Sequence, residues 1–473
     1  MPTTTKTMPD VVPDRPPRRS SSGLVLALLL VGQFMAILDV SIVNVALPTM
    51  RADLHASGAG LQLVVAGYII AYAVLLITGA RLGGLAGHRR MFLTGLAAFT
   101  AASLACGLAP ATGSLIVFRF AQGLGAALMT PQVMSLIQLT FTGSARARAL
   151  GLFSAVVSGG IVAGQAAGGL LVSADLLGSG WRAVFLVNVP IGLVLLAAAP
   201  RLLPADEGHR SGGLDLPGLV VLAPAVLLFV LPLILGHELG WPAWGWAALA
   251  ASVLLLTAFV AVERRAAARG SRPLVSGRVL RVPGLLPGLF TLTFGPCTWA
   301  GFLFTTTLHL QGDLKLGPLE SGLAFVPCVT AFALVGLYWR RLPERRQRPA
   351  IPAGFVLAAG GYLFLGPLSG GGAAYIAVTA LIGLGLGVTT IAMTVTLEHV
   401  PAGDAPDASG MLLTMMQLGQ VIGVATIGTL FLVAARDGST AHAEYGTGWA
   451  LAAAALAAAA CGLLLARRRR VTG

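Results

Sequence analysis

A single carboxylate, that of Asp39, lies in the middle of a long apolar run between residues 23 and 47. Of the 18 acidic residues in the chain, we expect only Asp39 to lie well inside such a run. Placing a carboxylate at the centre of a membrane costs about 2.5–3.5 kcal/mol. Because an apolar environment disfavours the charged form, such a group can bind and release a proton near neutral pH. We predict this role for Asp39. The alternative is a structural carboxylate bonded to the backbone or to Asn44.

Arg119 is the basic residue that matches Asp39. It lies about five residues after the start of the apolar run 114–137, whereas Asp39 lies about eight residues before the end of the run 23–47. At 1.5 Å per residue in antiparallel helices, their depths differ by only a few Å. A buried arginine stays charged and could displace a proton from Asp39. We expect one polar network, formed directly or through substrate or water; an arginine that extends to the membrane surface is the alternative.

The elements that must position these side chains are transmembrane helices. The chain is 56% hydrophobic and 10% charged, with a mean hydropathy of +0.85, whereas soluble proteins are about 45–50% apolar and about 25% charged. Apolar runs of about 20 residues, each enough to cross about 30 Å of hydrocarbon, recur along the chain. The sequence therefore predicts an all-α integral membrane protein with fourteen transmembrane helices. The predicted spans are 23–47, 61–82, 91–109, 114–137, 148–173, 183–203, 214–236, 245–263, 284–309, 319–339, 351–368, 373–397, 409–434 and 447–466.

The basic residues give this arrangement an orientation. When the connecting segments are assigned alternately to the two sides, 26 of the 31 lysines and arginines fall on the side of the N-terminus and four on the other, with Arg119 inside a span. Cytoplasmic loops carry such an excess. We expect a multi-pass protein of the cell membrane with both termini in the cytoplasm.

The loops also indicate an internal repeat. The second-to-third and tenth-to-eleventh connections each carry a cluster of arginines. This pattern predicts two six-helix halves, 23–203 and 271–466, that flank an inserted two-helix segment with its linkers, 204–270. Residues 1–22 are expected to be a disordered tail and 467–473 a basic tail, both cytoplasmic. Repeated halves are typical of transporters, which bind substrate between them near mid-membrane.

The fifth predicted helix carries a face of glycines. Gly160, Gly164 and Gly168 recur every four residues, and Gly169 follows them. Such a face lets another helix approach closely, or leaves a smooth surface for sliding.

Other residues within the spans could line a cavity between the halves. An adaptable apolar wall of aromatic and methionine side chains with a few polar groups suits small-molecule binding. Ordinary packing is the alternative for each of them. The candidates are Gln33, Asn44, Gln62, Tyr68, Gln122, Gln165, Trp299, Met411 and Gln417.

Several function classes are excluded by the same sequence. The net charge of +13 comes from short clusters between apolar runs, so we expect no nucleic-acid binding. The four cysteines lie in apolar stretches at unrelated spacings, which supports neither a metal site nor a disulfide framework. There is no P-loop or nucleophile motif, so we expect no enzyme and no direct use of ATP.

Two segments resemble motifs of a known family. Residues 38–48, Leu-Asp-Val-Ser-Ile-Val-Asn-Val-Ala-Leu-Pro, resemble the first-helix motif of the fourteen-helix drug/proton antiporter family within the major facilitator superfamily. Residues 119–123, Arg-Phe-Ala-Gln-Gly, are similar to its fourth-helix motif, whose arginine is implicated in proton transfer. Gln62 and Tyr68 match the second-helix pattern, and Asn188 fits the start of the sixth helix.

The resemblance implies proton-coupled efflux, with Asp39 and Arg119 as the coupling residues and the proton gradient, rather than a cofactor, as the energy source. It also implies conformational gating by the loop after the second helix and by the fifth helix. The residues concerned are Arg81, Gly83, Gly87, Arg89 and Arg90 in the loop, with Gly160, Gly164, Gly168 and Gly169 in the fifth helix.

Two positions depart from the family pattern. Gly84 stands where the loop motif has an aspartate that joins a charge cluster stabilising the outward-open state, and Leu85 stands where it has an arginine. Gln165 replaces the proline of the fifth-helix motif and so removes an expected bend. These departures leave the gating and the direction of transport open.

The sequence as a whole is best explained by a secondary active transporter that exports drug-like or antibiotic small molecules against proton entry. Its expected partners are a small-molecule substrate, protons and the lipid bilayer, and we expect a monomer. A carrier for a single metabolite, exporter or importer, is the first alternative, and a non-transporting membrane sensor is the second.

Overall fold

The computed structural model describes residues 19–175, 178–204, 216–236, 238–268, 277–398, 400–401, 405–436 and 439–467. In these residues the regular structure is entirely helical. Most of the predicted N-terminal tail and the basic tail beyond Arg467 lie outside the described residues. The helices are α1 (Arg19–Leu54), α2 (Gly58–Ala86), α3 (His88–Gly107), α4 (Thr112–Thr140), α5 (Gly143–Ala174), α6 (Ala183–Leu186), α7 (Asn188–Leu202), α8 (Leu216–Leu235), α9 (Ala243–Ala268), α10 (Gly277–Leu280), α11 (Leu285–Gly312), α12 (Pro318–Ala324), α13 (Val326–Tyr338), α14 (Glu344–Leu365), α15 (Gly372–Leu386), α16 (Thr389–Leu397), α17 (Ala405–Arg436) and α18 (Thr440–Arg467).

The helices make this a multi-pass membrane protein. In the described part of the chain, 11 helical stretches are long and apolar enough to cross a membrane, and Val220–Leu235 of α8 is a shorter apolar helix. Helix α11 is not among the 11. Six threonines in α11 add hydroxyl groups to an otherwise apolar helix. The predicted number of fourteen spans therefore stays a prediction.

Helices α9 and α18 extend beyond the predicted spans, and each extension places an acidic residue inside a helix. Helix α18 begins at Thr440 rather than 447, which places Glu444 inside it, 1% exposed. Helix α9 continues to Ala268, so Glu263 is also helical and buried. Among the described residues, Asp39 is therefore not the only buried acidic residue in a helix, because polar residues continue α9 and α18 past their apolar runs. That Asp39 alone lies well inside an apolar run stays a prediction.

The interior consists of two hydrophobic cores. The first is formed mainly by side chains of α1–α8, including Phe92, Phe99 and Phe185. The second is formed by α10–α18, around Phe302, Phe355 and neighbouring aliphatic residues. Side chains from α11 and α17 also join the first core, so the two cores meet along these helices.

Several contacts join the helices at the end of the bundle where α1 connects to α2, hereafter the α1–α2 end. The side chain of Gln311 donates from Nε2 to the carbonyl of Val45 at 2.9 Å, and the backbone N–H of Leu319 donates to Ser173 Oγ at 3.1 Å. Glu238, in the connection between α8 and α9, accepts the backbone N–H of Ala59 at 2.8 Å. The first two of these bonds link helices of the two cores at the α1–α2 end of the bundle.

Candidate functional site

Asp39 is fully enclosed in α1 and has a donor on each carboxylate oxygen. Arg119 Nη1 lies 2.6 Å from Oδ2, and both side chains are at most 1% exposed. Gln122 Nε2 and Asn188 Nδ2 donate to Oδ1 at 2.8 and 3.0 Å. The negative charge is thus balanced by one cation and satisfied by two amides, as a buried ion pair requires. The alternative bond to Asn44 does not form, because Asn44 Nδ2 donates to the carbonyl of Val40 in its own helix.

The Arg119 side chain is fixed by hydrogen bonds, by its ion pair and by aromatic rings, and it does not extend to the membrane surface. Its Nε donates to the carbonyl of Val64 in α2 at 3.0 Å, and its Nη1 also contacts Gln122 Oε1 at 2.6 Å. The guanidinium carbon lies 4.5 Å from the ring centroid of Tyr68 and 5.7 Å from that of Phe185. A planar cation favours such ring faces when it is desolvated.

Gln122 links Asp39 and Arg119 to a further helix. It lies three residues after Arg119 in α4, so the two side chains share one face. Its Nε2 donates to Ser103 Oγ of α3 at 2.8 Å as well as to Asp39. The network therefore joins α1, α2, α3, α4 and α7. Ser103 was not predicted, and Asn188 was expected only as one of the polar residues within the spans and as part of the sixth-helix pattern. Each is a polar residue within an apolar run, which is the signal that could have linked it to Asp39.

The other cavity candidates do not form one cluster. Tyr68 and Gln122 belong to the Asp39 network, whereas Gln62 Nε2 donates across the bundle to the carbonyl of Val424 in α17 at 2.8 Å. A cavity of about 10 Å³ beside Gln62 is lined also by Glu238 and Arg436, and such a volume suits one water molecule.

The remaining candidates lie apart from that network. Trp299 packs against Phe332 with tilted rings, 5.4 Å between ring centroids, and lies on the second core, to which Met411 belongs. Gln417 accepts a bond from Gln420. Among the described residues, no bonding partner is found for Oε1 of Gln33 or for either amide atom of Gln165, and both side chains are buried.

The glycine face of α5 packs directly against the part of α1 that carries Asp39. A Cβ on Gly164 would lie 2.6 Å from Ser41 Cβ, and one on Gly168 would lie 2.9 Å from the carbonyl oxygen of Ile42. Gly160 lies in the same way against Ile37. On another face, a Cβ on Gly169 would lie 2.6 Å from the carbonyl oxygen of Pro318 in α12. Close approach on both sides thus depends on the missing side chains; whether these surfaces slide stays a prediction.

The segment predicted as a loop after the second helix is helical except at Gly87, between the end of α2 and the start of α3, and it is held by α4 and α7. Gln132 of α4 contacts His88 Nδ1 through Oε1 at 2.8 Å and donates from Nε2 to the carbonyl of Gly79 at 2.8 Å. A Cβ on Gly83 would lie 1.9 Å from Gln132 Oε1, and Gly87 has a φ of 97° that favours glycine.

The arginines of this segment are less enclosed than its two buried glycines. Arg89 Nη2 donates to the carbonyl of Pro200 in α7. Arg81 is half-buried, and Arg90 is exposed. A Cβ on Gly84 would have no other atom within 4 Å. Packing therefore does not explain why glycine replaces the family's aspartate at this position.

Comparison with known proteins gives consistent matches over almost the whole chain. The model of the Major Facilitator Superfamily matches residues 29–424. The "Probable actinorhodin transporter" of Streptomyces coelicolor is 36% identical over 447 residues, covering 93% of this chain and 77% of the relative. The "Cephamycin export protein CmcT" of Amycolatopsis lactamdurans is 38% identical over 429 residues, covering 88% and 86%. These matches are to transporters and not to enzymes.

Solved structures agree on the fold. A crystal structure of the peptide transporter POT in complex with sulfate superposes with a TM-score of 0.67, at 18% identity, covering 93% of each chain. Identity at this level supports the shared architecture alone.

Proposed function

The chain belongs to the major facilitator superfamily, and from that premise we propose that it exports a drug-like or antibiotic small molecule across the cell membrane in exchange for protons. Asp39 and Arg119 are the coupling pair in this proposal. The observation that carries it is the enclosed ion pair at 2.6 Å, joined by Gln122 and Asn188, on the helices that form the first core.

The ion pair offers a simple means of coupling. When Asp39 is ionised, it neutralises Arg119 and ties α1 to α4. When Asp39 binds a proton, the Coulomb attraction to Arg119 is lost, and the guanidinium keeps only neutral acceptors and aromatic faces. The proton thereby weakens the link between α1 and α4, and release of the proton restores it.

The proposed topology has fourteen transmembrane helices, with halves 23–203 and 271–466, an inserted pair in 204–270 and both termini in the cytoplasm. In this topology the α1–α2 end faces outward. The bonds of Glu238, Gln311 and Leu319 at that end then close the exit side. The glycine face of α5 lets α1 shift beside the ion pair when the halves rock.

The names of the relatives favour an antibiotic as the class of substrate. Similar proteins are named for actinorhodin, cephamycin and tetracenomycin C. Since each of these names refers to one compound, export of a single self-made metabolite is the second candidate within the same mechanism.

Reconstituted vesicles test the proposal. Purified protein in proteoliposomes is given an artificial pH gradient, and accumulation is measured for compounds of these antibiotic classes and for cationic dyes. We expect accumulation of at least one compound that collapses when a protonophore is added. Accumulation that is insensitive to the protonophore would rule out proton exchange. The number of different compounds that accumulate separates an exporter of one metabolite from a multidrug exporter.

A further inference from the structure

A second buried carboxylate, Glu444, lies in the C-terminal half without a cation. It lies near the start of α18 and is 1% exposed. The Tyr375 hydroxyl donates to its Oε2 at 3.4 Å. Over the residues that the structure describes, Oε1 has no bonding partner, and no arginine, lysine or histidine lies within ion-pair distance of Glu444.

This environment favours the protonated form of Glu444. An ionised carboxylate that is buried without a cation pays a large desolvation penalty, whereas the neutral acid does not. Asp39 differs in this respect, because Arg119 balances its charge and two amides donate to it. Asp39 and Glu444 are thus stabilised in opposite protonation states in the same conformation.

A polar trail connects Glu444 with the α1–α2 end of the bundle. His309, fully buried in α11, contacts Thr440 Oγ through Nδ1 at 2.9 Å and the carbonyl of Ser369 through Nε2 at 2.8 Å. Its ring centroid lies 6.1 Å from that of Tyr375. With Nε2 donating to the Ser369 carbonyl, Nδ1 accepts from the Thr440 hydroxyl in a neutral imidazole and donates to it in an imidazolium. In the second case the hydroxyl proton is available to Asp313.

Asp313 ends this trail at the surface. Its Oδ2 accepts the backbone N–H of Ala441, in the first turn of α18, at 2.9 Å. Burial raises the pKa of Asp313 slightly, but the bonds from Ala441 and Thr440 outweigh this and hold it below its usual value. An ionised, exposed carboxylate therefore lies at the entrance to the trail, where it attracts protons.

The titratable side chains described around Glu444 are His309 on α11 and Tyr375 on α15. Helix α14 approaches through its backbone, since the carbonyl of Tyr362 packs against Gly448. On α17 the charged residue at this end is Arg436, whose Nη2 lies 3.7 Å from Glu238.

We propose that Glu444 is a second proton-binding site of the transporter, loaded from the α1–α2 end through the trail of Asp313, His309 and Tyr375. The proposal rests on the proton exchange proposed above. In the closed conformation Glu444 retains its proton; when the α1–α2 end opens, water reaches the carboxyl group and the proton exchanges. A proton fits this site better than a metal ion or an organic cation, because in the described part of the chain Glu444 is the only acidic ligand there.

Infrared spectroscopy of the purified wild-type protein at neutral pH tests the protonation state without any substrate. We expect a C=O stretching band of a buried protonated carboxyl group. The band is lost in Glu444→Gln, shifts in Tyr375→Phe and persists in Asp39→Asn. Glu320→Gln is the matched control, because Glu320 is exposed at the same end and bonds only within its own turn. A spectrum in which Glu444→Gln removes no such band would overturn the proposal.

Proton stoichiometry tests the role in transport. In proteoliposomes, Glu444→Gln is expected to keep substrate counterflow while moving fewer protons per substrate than the wild type. An unchanged ratio would reduce Glu444 to a neutral structural acid and overturn the proposed role. If the wild type itself moves no protons, the proposed antiport fails, whereas the infrared band still reports the proton on Glu444. Should Glu444→Gln not fold, Tyr375→Phe carries both measurements, and an unshifted band together with an unchanged ratio overturns the proposal.

Discussion

Arg119 Nη1 lies 2.6 Å from Asp39 Oδ2, and this contact joins α4 to α1 inside the first core, away from water. A buried ion pair of this kind is stable only while both charges are present. Anything that removes one charge, a proton or a mutation, leaves the other without compensation. The predictions below follow from this ion pair and from the packing around it.

Removal of one member of the pair should destabilise the protein more than removal of both. Arg119→Gln leaves an uncompensated carboxylate and Asp39→Asn leaves an uncompensated guanidinium, each at a cost of about 3–5 kcal/mol. We expect each single variant to unfold at a lower temperature in detergent, and the double variant Asp39→Asn/Arg119→Gln to recover part of the loss. Strictly additive losses in this double-mutant cycle would show that the two residues are not coupled.

The glycine face of α5 predicts a steric effect on α1. In Gly164→Ala the new Cβ would lie 2.6 Å from Ser41 Cβ, so α1 must shift next to Asp39. We expect a loss of about 1–3 kcal/mol in stability, as for overpacked cores, together with slower efflux. Gly159→Ala is the matched control, because Gly159 is exposed and nothing lies within 4 Å of its added Cβ. Equal behaviour of the two variants in thermal unfolding and efflux would contradict this account.

Glu238 is expected to stabilise closure of the α1–α2 end. It accepts the backbone N–H of Ala59 at 2.8 Å and lies 3.7 Å from Arg436, so it links α2 with α17. Glu238→Gln removes the charge from both contacts and should shift the population towards an open α1–α2 end. Spin labels at the exposed positions Leu108 and Trp449 report the separation of the halves.

The distance distribution between these labels should extend to longer values in Glu238→Gln. Glu320→Gln serves as the control, since among the described residues Glu320 accepts only the backbone N–H of Gly317, the residue that caps its own helix. Identical distributions in the wild type and Glu238→Gln would show that this carboxylate does not hold the end closed.

The pair of Asp39 and Arg119 could be predicted from the sequence, because charged residues are rare in apolar runs. Their similar depth in the membrane follows from the rise of 1.5 Å per helical residue. The sequence did not predict the partners Ser103 and Asn188, because hydroxyl and amide groups in apolar helices also bond to their own backbone. Ser103 itself donates to the carbonyl of Phe99. Only the packing of α3 and α7 decides which polar residues face Asp39.

Glu444 was missed for a different reason. The first turns of α18 contain Thr440, His442 and Tyr445, which resemble a loop in hydropathy, so the predicted span began at residue 447. Burial there arises from α11, α14 and α15, far away in the sequence. Gln62 was predicted to line a substrate cavity because it is a polar residue within a span. In the structure its side chain donates to the carbonyl of Val424 across the bundle. Long-range packing, which no local pattern encodes, determines both outcomes.

The most direct test of the account measures proton movement driven by substrate in vesicles that contain a trapped pH indicator. A substrate gradient imposed on wild-type proteoliposomes should drive protons in the opposite direction, as a pH change that requires the substrate. Asp39→Asn should abolish this pH change while it retains substrate binding, measured by stabilisation against heat. If Asp39→Asn moves as many protons per substrate as the wild type, Asp39 does not carry the coupling proton and the central claim is wrong.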